Sequence, residues 1–136
     1  KMSKSNPNEF SKIGLLESES KIKKSIMRAT TDSEMEIRLD WDNKPGVSNL
    51  LTLYSVFGRL PIEEVEKRFA GQGYGTLKKE LVGVVIDYLA PIKQRYNELK
   101  GSDELKKILM DGAEHANDIS SEVVKRVKDK IGLVRF

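Results

Sequence analysis

The sequence predicts an all-α chain: a helical bundle crossed by one extended segment and preceded by a short basic loop. Apolar residues recur at i, i+3, i+4 and i+7 through most of the 136 residues. Only one run, Met35 to Asp42, alternates strictly, and no second alternating run offers it a pairing partner, so a sheet is not expected. The chain has no cysteine and one histidine, which removes disulfides, thiolate metal sites and a cysteine nucleophile and argues against a metal site built from protein ligands. The most apolar window, Leu81 to Ile92, is interrupted by Asp87 and falls well short of the ~20 residues that span a bilayer. With no signal-peptide pattern in view, these features point to a cytoplasmic protein. A net charge of +3 tolerates a nucleic-acid partner without requiring one.

Each element follows from local signals. Asn6-Pro7-Asn8 reads as a turn that ends the basic loop. Ser18 is placed to cap a helix running to about Ala29, with Ile22, Ile26 and Ala29 as its buried stripe, and Thr30 to Glu34 break it. In the extended segment, Met35, Ile37, Leu39 and Trp41 are expected to face one side and Glu36, Arg38, Asp40 and Asp42 the other. Lys44-Pro45-Gly46 turns the chain into a largely buried helix through Val47, Leu50, Leu51, Tyr54 and Phe57, widened by Leu53 and Val56, with Gly58 as its expected C-cap. Pro61 starts a short helix whose first turn carries Glu63 and Glu64, and this helix ends before Gly71.

Gly71-Gln72-Gly73-Tyr74-Gly75 lacks the GxGxxG spacing and a preceding strand, so it reads as a turn and not as a nucleotide loop. Thr76 is expected to cap the next helix, with Leu77, Leu81, Val84, Val85, Tyr88, Leu89, Ile92 and Leu99 along one stripe and a kink at Pro91. Gly101 stops it. Ser102 caps the last helix, striped by Leu105, Ile108, Leu109, Ala116, Ile119, Val123 and Val127, with a break expected at Gly112 and a stop at Gly132. His115 lies in that helix and is assigned a plain surface role.

Candidate chemistry sits in Lys1-Met2-Ser3-Lys4-Ser5. Two lysines and two serines in five residues supply charge and hydroxyl donors to one anion, and loop N–H groups can add more. During attack on the α-phosphate of ATP, negative charge builds on the departing pyrophosphate, and cations placed there lower the barrier. A second candidate is a basic flank: projecting the helix after Thr76 at ~100° per residue brings Lys78, Lys79, Lys93 and Lys100 within about a third of its circumference, where clustered cations suit RNA phosphates. Lys125, Arg126, Lys128 and Lys130 instead complement the C-terminal dipole of the last helix.

The KMSKS string resembles the signature loop of class I aminoacyl-tRNA synthetases. Thr31-Asp32-Ser33, KPGVSNLL at 44–51, GYGTLK at 73–78 and GAEHAN at 112–117 extend the likeness over essentially the whole chain, which resembles bacterial-type tryptophanyl-tRNA synthetase. Asn6 and His115 depart from that family's pattern. The resemblance implies an ATP-binding loop of Lys1, Met2, Ser3, Lys4 and Ser5, with Lys4 contacting pyrophosphate as the catalytic residue. It implies ATP with Mg2+, tryptophan and tRNA(Trp) as substrates, a homodimer in the full enzyme, and no membrane.

By the same resemblance, residues 1–12 end a catalytic domain whose nucleotide-binding fold and HIGH-type motif lie upstream, and residues 13–136 form a helical anticodon-binding domain. The isolated chain is then expected to be inactive. The stripe through Ile119, Val123, Val127 and Ile131 is expected to seek cover, by self-association or by folding back. A stand-alone RNA-binding module, which would leave KMSKS idle, and a purely structural domain are the alternative readings.

Overall fold

The computed structural model describes residues 7–133, so Lys1 to Ser5 lie outside the described residues. A short 3-10 turn, Glu9–Ser11, is followed by α1 (Glu19–Met27), α2 (Pro45–Gly58), α3 (Ile62–Phe69), α4 (Tyr74–Leu99) and α5 (Asp103–Lys130). No strand occurs among the described residues, and 30–43 cross between α1 and α2 without regular structure, as the single alternating run predicts. No helix among the described residues is long and apolar enough to cross a membrane.

Two of the capping expectations hold. Ser18 Oγ accepts from the Lys21 N–H, and Ser102 Oγ accepts from the Leu105 N–H at 3.1 Å, each satisfying a donor that the helix itself cannot. Two others change. The left-handed residue that closes α2 is Arg59, at φ 54°, and not Gly58, whose added Cβ would sit in ordinary contact with Tyr54 and Val84. α4 begins at Tyr74 instead of after Thr76, and the Thr76 N–H already donates to the Gly73 carbonyl at 3.0 Å as part of its first turn. α5 runs unbroken through Gly112, where the sequence predicts a break, and Pro91 lies inside α4.

The chain divides into two compact units between Gln94 and Arg95. In the first, the predicted stripes meet: Ile22 and Ile26 of α1, Val47, Leu50 and Leu51 of α2, and Leu77, Leu81, Val85 and Leu89 of α4 are buried in one cluster with Val65 and Phe69 of α3. Tyr54 packs edge-on to Phe69 at 5.2 Å and donates its hydroxyl proton to Glu80, which also pairs with Arg68 at 2.9 Å. One glutamate thereby ties α2, α3 and α4. In the second unit, Arg95 bridges Glu98 and Glu104, and no residue of α5 is buried. Within this single chain Ile119 and Val127 of α5 are 56% and 50% exposed.

The extended segment departs from simple alternation. Ile37 is buried, but Met35 and Trp41 are 67% and 56% exposed and Leu39 is also exposed. The reason lies in the backbone: Met35 takes a left-handed φ of 64°, which rotates the start of the segment, and the rest is held through polar groups on its other side. The Leu39 N–H donates to Glu66 at 2.6 Å and the Asp40 N–H to Ser48 Oγ at 2.8 Å, so helix side chains stand in for a neighbouring strand.

Candidate functional site

The catalytic and ATP-binding assignments to Lys1, Met2, Ser3, Lys4 and Ser5 fall outside the described residues, but the tether that follows the loop is defined. Asn8 closes the chain on itself: its Oδ1 accepts from the Phe10 N–H at 3.0 Å and its carbonyl accepts from Ser11 Oγ at 2.8 Å. The Arg28 guanidinium, just past α1, lies 4.3 Å from the Phe10 ring centroid, a cation–π contact that fixes this exit against the bundle. Five residues after Ser5, the chain is already anchored.

A buried lysine is the feature that sequence reasoning missed. Lys44 is 1% exposed, and its ammonium donates to Asp32 at 3.0 Å, to Glu34 at 2.7 Å and to the Tyr74 hydroxyl at 3.3 Å. The Tyr74 hydroxyl in turn donates a hydrogen bond to Asp32, so four side chains from the crossing segment, the start of α2 and the start of α4 close one network. Burial alone would lower the Lys44 pKa, but the Glu34 and Asp32 carboxylates and Tyr74 outweigh it and raise it, so the lysine stays charged. Beside it, Gly46 leaves no room for a side chain: a Cβ there would stand 2.2 Å from the carbonyl oxygen of Thr30. In the sequence the same residues, Thr31-Asp32-Ser33 and Lys44-Pro45-Gly46, read as a helix break, a turn and parts of the family likeness, with no sign of a buried ion pair. A lysine flanked by Pro and Gly carries no local mark of burial.

The network makes stability depend on acid. The Tyr74 hydroxyl, opposed by burial and aided by Lys44 and the Glu34 N–H, depresses the Asp32 pKa to about 2. The Asn43 backbone and side chain, with Arg38, likewise hold Asp40 at about 2. Both folded-state values lie below the ordinary 3.8, so the stabilisation is full above pH ~4 and is lost as pH falls toward 2. Urea midpoints measured across pH 5 to 2 should fall steeply for the parent chain and less steeply for Asp32→Asn with Asp40→Asn. Equal slopes would show that these two carboxylates do not carry the dependence.

The basic flank resolves into different environments. Lys78 is 9% exposed and donates to the Ala29 carbonyl at 2.7 Å, a strut that holds the end of α1, so it presents no cation to a surface partner. Lys79 is exposed and Lys93 half-buried in the first unit. Lys100, in the second, is exposed with its ammonium 5.8 Å from the Tyr96 ring centroid. A helical projection assigns angle but not reach, which is why Lys78 and Lys79 looked alike.

With loop, tether and bundle in place, comparison with known proteins assigns the family. The family model described as tRNA synthetases class I (W and Y) matches residues 1–90, a span that begins with KMSKS and includes the Lys44 network. The chain belongs to this family. It is 49% identical over 134 residues to the tryptophan–tRNA ligase of Caldanaerobacter subterraneus, covering 98% of this chain and 41% of the relative. It is 47% identical over 135 residues to that of Bacillus subtilis, covering 99% and 41%. Among solved structures, the tryptophanyl-tRNA synthetase of Campylobacter jejuni complexed with ADP and tryptophan superposes with a TM-score of 0.75 at 33% identity, covering 98% of this chain and 41% of that one. The enzyme from Mycoplasma pneumoniae gives 0.78 at 26% identity, with the same coverage. The chain spans about two fifths of the length of these relatives.

Proposed function

We propose that these residues are the C-terminal part of a tryptophan–tRNA ligase, which joins tryptophan to ATP as tryptophanyl-adenylate and passes it to tRNA(Trp). The observation that carries the reading is the 49% identity to a tryptophan–tRNA ligase over 134 residues that start at the KMSKS loop. Residues 1–12 serve the catalytic half, and 13–136 form the helical part that receives the anticodon. ATP enters as its Mg2+ complex, and the complete enzyme works as a cytoplasmic homodimer. In this chain Lys4, with Lys1, Ser3 and Ser5, gathers the pyrophosphate, and the tether from Asn8 to Arg28 holds the loop's exit while it does so.

The test is ATP–pyrophosphate exchange by the complete protein with each amino acid supplied in turn. Exchange with tryptophan and not with tyrosine is expected, and the 136 residues alone should give none. Exchange driven by any other amino acid would overturn the assignment. On the RNA side, Lys79, Lys93 and Lys100 are the proposed phosphate contacts, and Lys78 leaves the set because it is spent on Ala29. Each alanine replacement at those three should weaken tRNA binding and reduce the salt slope, log K against log[salt], by about 1. Lys78→Ala should instead lower thermal stability and leave that slope unchanged. Binding constants measured at several salt concentrations separate the two behaviours.

A further inference from the structure

Phe10 is half-buried against the bundle, and the Arg28 guanidinium stands 4.3 Å from its ring centroid. Among the described residues Arg28 forms no ion pair, which leaves its charge to the ring. The backbone that carries Arg28 is fixed. Its own N–H donates to the Lys24 carbonyl at 3.1 Å as the C-cap of α1, the next carbonyl, of Ala29, accepts from Lys78 of α4 at 2.7 Å, and the one after, of Thr30, closes against Gly46 of α2. Three consecutive residues are thereby held by three helices. On the loop side there is little slack. The Ser11 N–H and Oγ both donate to the Asn8 carbonyl, and Pro7 has a φ restricted by its ring. Only four peptide units join Asn8 to Lys4, a reach of at most about 14 Å. Reaction geometry tolerates little error, since misplacing a reacting or stabilising group by about 1 Å can cost on the order of 100-fold in rate.

We propose that Arg28 is a positioning residue for tryptophan activation: through the Phe10 ring it sets where the loop leaves the bundle, and so where Lys4 meets the departing pyrophosphate. The inference rests on the ligase reading and goes beyond it by naming a residue that acts through Lys4 and not on the nucleotide. Arg28 is exposed, so truncating it leaves the core of the bundle intact.

The test is tryptophan-dependent ATP–pyrophosphate exchange by the full-length protein, with kcat and KM for ATP measured separately. A cation–π contact at an exposed site sets the scale at about two- to five-fold. Arg28→Ala and Phe10→Leu should each lower kcat by about that factor and leave KM for ATP unchanged. The two together should cost no more than either alone, because they remove one contact. Arg28→Lys, which keeps a cation at the ring, should recover most of the loss. On a Lys4→Ala background, Arg28→Ala should have no further effect. Lys24→Ala removes a cation one turn earlier on α1 and leaves the Phe10 contact in place, so it should change neither constant. A raised KM at unchanged kcat in Arg28→Ala, an equal loss in Lys24→Ala, or an undiminished loss on the Lys4→Ala background overturns the proposal, because each makes the arginine a free charge or a support of the bundle. A parent that exchanges with tryptophan while Arg28→Ala matches it overturns this inference alone. A parent without tryptophan-dependent exchange overturns the ligase reading and this inference with it.

Discussion

Replacing Lys4 by alanine in the full-length ligase proposed above is expected to lower kcat for tryptophan activation by about 100-fold or more while KM for ATP moves little. The argument concerns when the charge appears. Bound ATP already shares its negative charge among three phosphates, whereas bond breaking at the α-phosphate concentrates new charge on the pyrophosphate oxygens. A lysine positioned for that moment stabilises the transition state more than the bound substrate, which shows as kcat. Lys1→Ala should cost less, because Lys4 is the residue to which the family likeness assigns the pyrophosphate contact. Steady-state exchange at varied ATP checks both. A raised KM at unchanged kcat would show that Lys4 holds ground-state ATP, and its proposed role would be wrong.

Gly46→Ala is expected to destabilise the fold by about 3 kcal/mol or more, lowering Tm by on the order of 10 °C. The new Cβ would start 2.2 Å from the Thr30 carbonyl oxygen, and that oxygen is backbone, so no rotamer change relieves the clash. Either the crossing segment or the first turn of α2 must move by about an ångström. Both are pinned a few residues away, where Lys44 grips Asp32 and Glu34. Gly83→Ala provides the control. Gly83 sits inside α4, where an added Cβ would meet nothing within 4 Å, and there alanine should stabilise by roughly 0.5–1 kcal/mol. Thermal unfolding followed at 222 nm compares the two. A Gly46→Ala chain melting within a degree or two of the parent would mean that the crossing is loose.

Much of this architecture is legible in the sequence because it rests on local chemistry. Ser18 and Ser102 announce helix starts through the donors they satisfy, and the stripes of Ile22 with Ile26 and of Leu77 with Leu81 point to the core. What could not be read depends on residues far apart in the chain. Lys44 is buried only because Asp32, twelve positions earlier, and Tyr74, thirty later, converge on it. Lys78 and Lys79 are neighbours of one type, yet Ala29 claims the first and leaves the second exposed. Alternation in the crossing segment mispredicted Met35, Leu39 and Trp41, because period two governs which side a residue takes only when a neighbouring strand holds the pleat. The KMSKS string carries the family likeness in the sequence alone, while the tether through Asn8, Phe10 and Arg28 needed coordinates.

The placing of Lys44 bears on how the molecule comes apart. It is the N-cap of α2, so a full positive charge sits at the helix end whose unpaired N–H groups already carry partial positive charge. Without the carboxylates of Asp32 and Glu34, that start would be electrostatically opposed, and without α2 those carboxylates would lose the cation that holds the crossing segment. Neither element has a favourable half-open state. The crossing segment, the first turn of α2 and the start of α4, bound through Tyr74, therefore open and close as one cooperative unit instead of fraying separately.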